Sequence, residues 1–328
     1  MSAAAEAEQQ LALPRIGFGT SASRDVQAQV GASLAAGFRL VDTAKQYGNE
    51  PEIGAALQAA FAAGSVSREE VFLLTKISEK DLGYDATAAG VQEALTKLTV
   101  PCIDAVLIHW PGDRADMSNP ANSERRLGSW RALEELRAQG KVRNIGVSNF
   151  TIAHCQEIMA VSSTPIYANE IEVHPWLQNS ELVDFCQEHN IKVGRAALIL
   201  LAASCWVFAC TCPTAECSHC CSAVDHADCQ VVAYSPFGRP PRSDVMSDPV
   251  LQSIAAKLGA TPGELILRWM VQRGLYPIPK AESPEHIQAN FAAASKAMDP
   301  AQWLDSDTML QIGELDRGHR VFADPVSD

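Results

Sequence analysis

The sequence predicts an α/β protein, a (β/α)8 TIM barrel, and three observations predict it. Short apolar runs alternate with longer amphipathic ones, eight such pairs follow one another in one chain, and the apolar runs end in polar or ionisable residues. The alternative is an open, doubly wound sheet. That fold calls for a Gly-rich dinucleotide turn after the first strand, and "GFGTSAS" fits GxGxxG poorly.

Strand-like runs are expected at 15–20, 38–44, 71–77, 105–110, 142–149, 166–172, 231–236 and 275–280. Helical patterns such as "SRDVQAQVGASLAAG", "NEPEIGAALQAAFAAG" and "ERRLGSWRALEELRAQG" lie between them. Asn49 with Glu52 reads as a capping box, and Gly64 and Gly140 as helix stops. "SPEH" places Ser283 at an N-cap and Pro284 at the first helical position. A helix beginning just after Lys280 offers free N–H groups and a dipole to an anion. "DRADMSNPANSERR" reads as a loop over the barrel mouth, where loops adjust specificity.

The 328 residues are 47% hydrophobic and 20% charged, which allows a large core and excludes a disordered chain. A single barrel domain over 11–321 is expected, preceded by a flexible N-terminus over 1–10. A net charge of −13 argues against nucleic-acid and anionic-membrane partners, which require clustered Lys and Arg. No run reaches the ~20 apolar residues of a spanning helix. The start "MSAAAEAEQQ" lacks a basic, apolar secretory signal. A cytoplasmic monomer is the expectation.

Seven of ten cysteines fall between Cys205 and Cys229; the others are Cys102, Cys155 and Cys186, far apart in sequence. Three readings meet this segment. Zinc could be held by Cys210, Cys212, Cys217, His219, Cys220 or Cys221, but Cys217 and Cys220 form one CxxC without a well-spaced partner pair. A redox-active thiol cluster lacks anything nearby to lower a thiol pKa. The favoured reading is an atypical insertion over 193–230, a retained intron or gene-model error. Removing Val193 to Gln230 keeps the frame and closes the text to "IKVVAYSPFG". No metal site is therefore expected.

The chemistry is expected at the strand ends. "FRLV" ends in Asp42, "VFLLT" in Lys76, "AVLI" in His109, "NIGV" in Ser148 and Asn149, "VVA" in Tyr234 and Ser235, and "YPIP" in Lys280. The C-terminal ends of parallel barrel strands share one face, where barrel enzymes place their sites. Asp42, Tyr47, Lys76 and His109 form a coherent set. A lysine ammonium beside a phenol favours the phenolate and lowers its pKa, and a carboxylate holds that lysine charged. A histidine could orient a carbonyl oxygen. The set suits reduction of a ketone or aldehyde but supplies no hydride, so it requires a nicotinamide cofactor.

The chain resembles the aldo-keto reductase family. The matching text includes "RLVDTAKQYGNE", "LIHWP", "WRALEELRAQGKVRNIGVSNF", "NEIEVHP", "VAYSPFG" and "PIPKAESPEHIQANF", and spans about Leu13 to Arg320 apart from the cysteine-rich segment. The resemblance implies Asp42, Tyr47, Lys76 and His109 as a catalytic tetrad, with Tyr47 the general acid. It implies cofactor contacts from Thr20, Asp42, Ser148, Asn149, Glu170, Tyr234, Ser235, Phe237, Lys280, Ser283, His286 and Asn290. Ser148 and Asn149 would hold the nicotinamide carboxamide, Tyr234 would stack on its ring, the backbone near Ser235 and Phe237 would meet the pyrophosphate, and Lys280, Ser283 and Asn290 would grip the adenosine end. Ser21, Tyr47, His109 and Trp110 would line the substrate pocket. The implied activity is NAD(P)H-dependent reduction of aldehydes or ketones to alcohols. A cofactor-binding barrel acting as a sensor or subunit is the alternative.

Several positions depart from the family pattern. Glu170 stands where glutamine is usual; an ionised carboxylate accepts from an amide N–H2 but cannot donate, so weaker or pH-sensitive cofactor binding is expected. His286 replaces a common arginine and Ala289 a common glutamate, leaving Lys280 as a phosphate-binding cation. NADPH is the first choice of cofactor and NADH the alternative. Ser21 replaces a common tryptophan, which implies a roomier pocket. His174 reads as a structural histidine.

Overall fold

The computed structural model describes residues 12–189, 230–239 and 243–322. The N-terminal segment 1–10 and the expected insertion at 193–230 lie outside the described residues, apart from Gln230, which opens a strand.

Eight parallel strands form one sheet in chain order: β1 (Gly17–Gly19), β2 (Leu40–Asp42), β3 (Phe72–Ile77), β4 (Ile103–Ile108), β5 (Val142–Ser148), β6 (Ala168–Glu172), β7 (Gln230–Tyr234) and β10 (Tyr276–Pro277). The Gly19 N–H donates to Pro279 O at 3.3 Å, which brings the first strand beside the end of the last. The result is a (β/α)8 barrel. Helices α1 (Val26–Ala36), α2 (Glu50–Ala62), α3 (Tyr84–Leu98), α4 (Ala121–Ala138), α5 (Ile152–Met159) and α6 (Ser180–Glu188) alternate with the first six strands. The short antiparallel strands β8 (Gly238–Arg239) and β9 (Ser243–Asp244) follow β7. Helices α7 (Pro249–Lys257) and α8 (Pro262–Gln272) precede β10, and α9 (Pro284–Ala297) and α10 (Ser306–Gly313) follow it.

Successive side chains of a strand face opposite ways. One set packs against the helices in a large apolar layer that includes Phe18, Val41, Leu73, Val106, Ile145, Trp130 and Trp269. The other forms a smaller cluster of Leu40, Phe72, Leu74, Ala105, Leu107, Ala168, Val232, Tyr276 and Ile278 that fills the barrel. Continuing this second set by two residues along each strand gives Asp42, Lys76, His109, Glu170 and Tyr234. The polar groups therefore stand in phase with the apolar filling, one layer above it.

Close approach between helices depends on glycine at one position. A Cβ on Gly54 in α2 would lie 2.5 Å from Lys97 O at the end of α3. Gly64 (φ 67°) and Gly140 (φ 72°) turn the chain after α2 and α4, as helix stops should. Ser283 caps α9, accepting from the His286 N–H, with Pro284 at the first position. The expected capping box at Asn49 is not formed. The Asn49 side chain accepts from Thr43 Oγ1 (2.9 Å) and donates to Thr20 O (2.9 Å), so it ties the ends of β1 and β2 together instead of capping α2.

Candidate active site

Strand ends and the turns after them enclose a cavity of about 500 Å³. Its wall includes Ser21, Asp42, Tyr47, His109, Trp110, Ser148, Asn149, Glu170, Tyr234, Ser235, Phe237 and Lys280 from the residues expected on sequence grounds. Lys76 lies behind this wall with its side chain fully buried.

Tyr47 is held by local structure. It ends a 3-10 turn, Lys45–Tyr47, which Gly48 closes at φ 69°. Lys45 pins the turn to its surroundings through Asp81 and Glu93, both at 2.9 Å. The Tyr47 and His109 rings meet edge-on with centroids 5.9 Å apart, and Lys76 Nζ lies 5.3 Å from the Tyr47 ring centroid.

Lys76 Nζ donates to Asp42 Oδ1, to Thr43 O at 3.0 Å, and pairs with Glu170 Oε1 at 3.2 Å. Two carboxyls thus share one buried ammonium. Burial and the neighbouring Asp42 push the Glu170 carboxyl up to about 8. Burial also raises Asp42, against the opposing pull of Lys76. Although burial works against its charge, Lys76 stays protonated far into the alkaline range because Asp42 and Glu170 face it.

The expectation that lysine lowers the Tyr47 pKa needs correction. Lys76 does act in that direction, but desolvation of the phenol outweighs it, and Asp42 and Glu170 add to the rise. Tyr47 therefore keeps its proton well above neutrality. His109 goes the other way: burial and the cations Lys76 and Arg114 hold it neutral.

The opposite wall is a hydrogen-bonded chain. Tyr234 Oη donates to Asn149 Oδ1 (2.8 Å), and Asn149 Nδ2 donates to His109 O (3.0 Å) and to Ser148 Oγ (3.1 Å). Ser148 Oγ and the Asn149 N–H both donate to Glu170 O at 2.9 Å. Asn149 (φ 59°) and Ser235 (φ 52°) adopt the left-handed region just past β5 and β7. Such a conformation is unfavourable for serine by roughly 1–2 kcal/mol and is characteristic of functional sites. His109 Nδ1 and Glu170 Oε2 are buried without a hydrogen-bond partner among the described residues. They are available to a bound molecule.

Not every expected residue reaches the cavity wall. Thr20 is buried beside it, with its hydroxyl and N–H donating to Asp42 O at 2.9 and 3.1 Å. Ser283, His286 and Asn290 lie along the first turns of α9 beyond Lys280, whose Nζ donates to Ala22 O at 2.7 Å. His174 is fully buried with Nε2 3.0 Å from Glu172 Oε1. Glu172 also accepts from the Val321 and Phe322 N–H groups at 2.8 and 3.2 Å, which fixes the chain end that carries Phe322 into the cavity wall. Arg114 was missed as a wall residue; it lies over Trp110 at 4.7 Å, from the loop expected to cover the mouth. Among the described residues no His, Cys, Asp or Glu cluster suits a metal ion, and no helix is long and apolar enough to cross a membrane.

Comparison with known proteins gives a consistent answer. The model of the Aldo/keto reductase family matches residues 15–202 and 213–310. An aldo-keto reductase of Mycolicibacterium smegmatis is 32% identical over 315 residues, covering 95% of this chain and 93% of its own. The crystal structure of an aldo-keto reductase from a Medee basin deep-sea metagenome library superposes with a TM-score of 0.76 at 29% identity, covering 97% of both chains. The Bombyx mori aldo-keto reductase in complex with NADP superposes with a TM-score of 0.74 at 27% identity, covering 95% of this chain and 92% of its own. Strand order, the polar layer above the barrel filling and these matches agree: the chain belongs to the aldo/keto reductase family and is an oxidoreductase.

Proposed function

We propose that the cavity reduces aldehydes or ketones to alcohols, with Tyr47 as the general acid. The observation that carries this reading is the convergence of Asp42, Tyr47 and His109 on one cavity, with the Lys76 ammonium fully buried behind them. Tyr47 retains its proton and so offers an O–H to a carbonyl oxygen. Lys76 offsets the negative charge that forms on the phenol oxygen as that proton leaves. Neutral His109 orients the carbonyl oxygen beside Tyr47. Trp110 and Phe322 give the cavity an aromatic side, and Ser21 leaves it room.

The residues present fit a nicotinamide dinucleotide. Glu170 Oε2 is a buried polar atom without a partner among the described residues, free to hydrogen-bond a carboxamide, and Ser148 and Asn149 stand beside it. Tyr234 would lie against the ring, the backbone near Ser235 and Phe237 would meet the pyrophosphate, and Lys280, Ser283, His286 and Asn290 would face the adenosine end. When bound, this group supplies the hydride. Lys280, held by Ala22 O and paired with Glu282 at 3.4 Å, is the cation left for a ribose phosphate, and NADPH is the first choice with NADH the alternative.

The test is a purified-protein assay following oxidation of NADPH and NADH against a panel of small aldehydes. Turnover with NADPH at the lower KM is expected. Folded protein that binds cofactor but turns over none of the panel would refute the reading.

The same reading treats residues 193–230 as an insertion before the seventh strand; the family model leaves 203–212 of it unmatched, and Gln230 opens β7. Barrel connections are short, commonly two to six residues, whereas 41 residues separate Glu188 at the end of α6 from Gln230 at the start of β7. Sequencing cDNA across the junction should give a transcript lacking the 38 codons from Val193 to Gln230. A dominant transcript retaining them would contradict this.

A further inference from the structure

Asp42, Glu170 and Lys76 come from three different strands, β2, β6 and β3, and their side chains are 3%, 2% and 0% exposed. Two ionised carboxylates on one ammonium would leave a net negative charge in this dry setting, an arrangement that buried sites avoid by retaining a proton. Asp42 makes the closer contact with Lys76, so it is the ionised member. Glu170 pairs with Lys76 through Oε1 only, and Oε2 receives no hydrogen bond. A carboxylate would leave that oxygen charged and unsolvated, whereas a protonated carboxyl would not.

Among the described residues, the groups facing Glu170 are Asp42 on β2, Lys76 on β3, Tyr47 on the turn after β2, and Tyr234 on β7. From β5, Ser148 and Asn149 meet only its backbone carbonyl. Lys76 is thus the only cation among them, and every charge gained by the carboxyl pair is set against its influence on Tyr47.

We propose that Asp42 and Glu170 hold one proton between them, and that this proton keeps the Lys76 charge available to Tyr47. Glu170 is then a positioning residue that sets the alkaline limit of reduction. This rests on the reading of Tyr47 as the acid. With the proton in place, the triad Asp42–Glu170–Lys76 is neutral overall. Once it leaves, two carboxylates compete for Lys76, the phenolate formed during turnover loses its counter-charge, and Tyr47 becomes a poorer donor. Glu170→Gln keeps the shape and cannot ionise.

The sign of the accompanying stability effect is fixed by linkage. The Glu170 pKa is raised from 4.5 to about 8, so native protein holds a proton that unfolded chain has released. Stability therefore falls as pH rises from about 4.5 to about 8 and then levels.

The test compares wild type with Glu170→Gln in two measurements. Thermal unfolding of the cofactor-free proteins, followed from pH 6 to pH 9, should show wild type losing stability relative to the variant. In the reductase assay, kcat/KM of wild type should fall by up to about tenfold across the same range, while the variant changes less than about threefold. Parallel profiles in both measurements would overturn the proposal. Absence of reductase activity at every pH would sink the assignment of Tyr47 but leave the unfolding comparison decisive for the shared proton. If Glu170→Gln does not fold, carbon-13 NMR of glutamate-labelled wild type decides it. One carboxyl should titrate near 8, and titration of all of them in the ordinary range would refute the shared proton.

Discussion

Replacing Lys76 by methionine tests the buried charge cluster most severely. Lys76→Met preserves length and apolar stem but removes the only cation that faces Asp42 and Glu170 among the described residues. The side chain has no exposed surface, and its three partners are Asp42, Glu170 and the Thr43 carbonyl. Removing one partner of a buried ion pair leaves an uncompensated charge and costs about 3–5 kcal/mol. At roughly 2 °C per kcal/mol for a chain of this size, Tm should fall by about 6–10 °C near pH 8. The cost should shrink on acidification because Asp42 in the variant, without Lys76 beside it, takes up a proton more readily than in wild type and becomes neutral. The raised Asp42 pKa of wild type works the other way, adding stability as pH falls, but by less. Urea unfolding at pH 8 and pH 5.5, followed by tryptophan fluorescence, measures both quantities. A cost below about 1 kcal/mol at pH 8, or a cost that grows on acidification, would refute the reasoning.

Gly54→Ala would drive a Cβ to within 2.5 Å of Lys97 O, forcing α2 and α3 apart. A loss of about 1–3 kcal/mol is expected and is checked by thermal unfolding; an unchanged Tm would show that the helices can shift freely. Arg114 lies in the cavity wall over Trp110, with no carboxylate partner among the described residues. Arg114→Ala should raise KM about tenfold for a short aldehyde carrying a terminal carboxylate, about 1.4 kcal/mol. KM for the uncharged analogue should be unchanged; equal effects on both would remove any role in recognising an anion.

The barrel and much of its site were legible because strand periodicity and polarity coincide. Leu40 and Asp42, Leu74 and Lys76, Leu107 and His109 are each two residues apart, so the sequence shows both the buried face and its polar end. Expected strand limits come within a few residues of those observed, although the last pairs only at Tyr276–Pro277. What escaped the sequence depends on three-dimensional sums. Asn49 carries every local sign of a cap, yet partners 29 and six residues away claim its side chain. The Tyr47 pKa is set by adding burial, one cation and two carboxyls, and only the cation's contribution was apparent from residue types. The pH-sensitivity expected of Glu170 had no direction in the sequence, because Asp42, the carboxyl that helps raise its pKa, is 128 positions away. Phe322 and Arg114 enter the wall from a chain end and a loop, where no periodicity marks the direction of a side chain.

The central claim is that Tyr47 delivers the proton, and Tyr47→Phe tests it most directly. The substitution removes one hydroxyl while keeping the ring that packs edge-on against His109. Measured by NADPH oxidation with a good aldehyde substrate, kcat should fall by about a hundred- to ten-thousandfold, while the NADPH dissociation constant, read by fluorescence titration, stays nearly unchanged. Turnover at the wild-type rate would contradict the account.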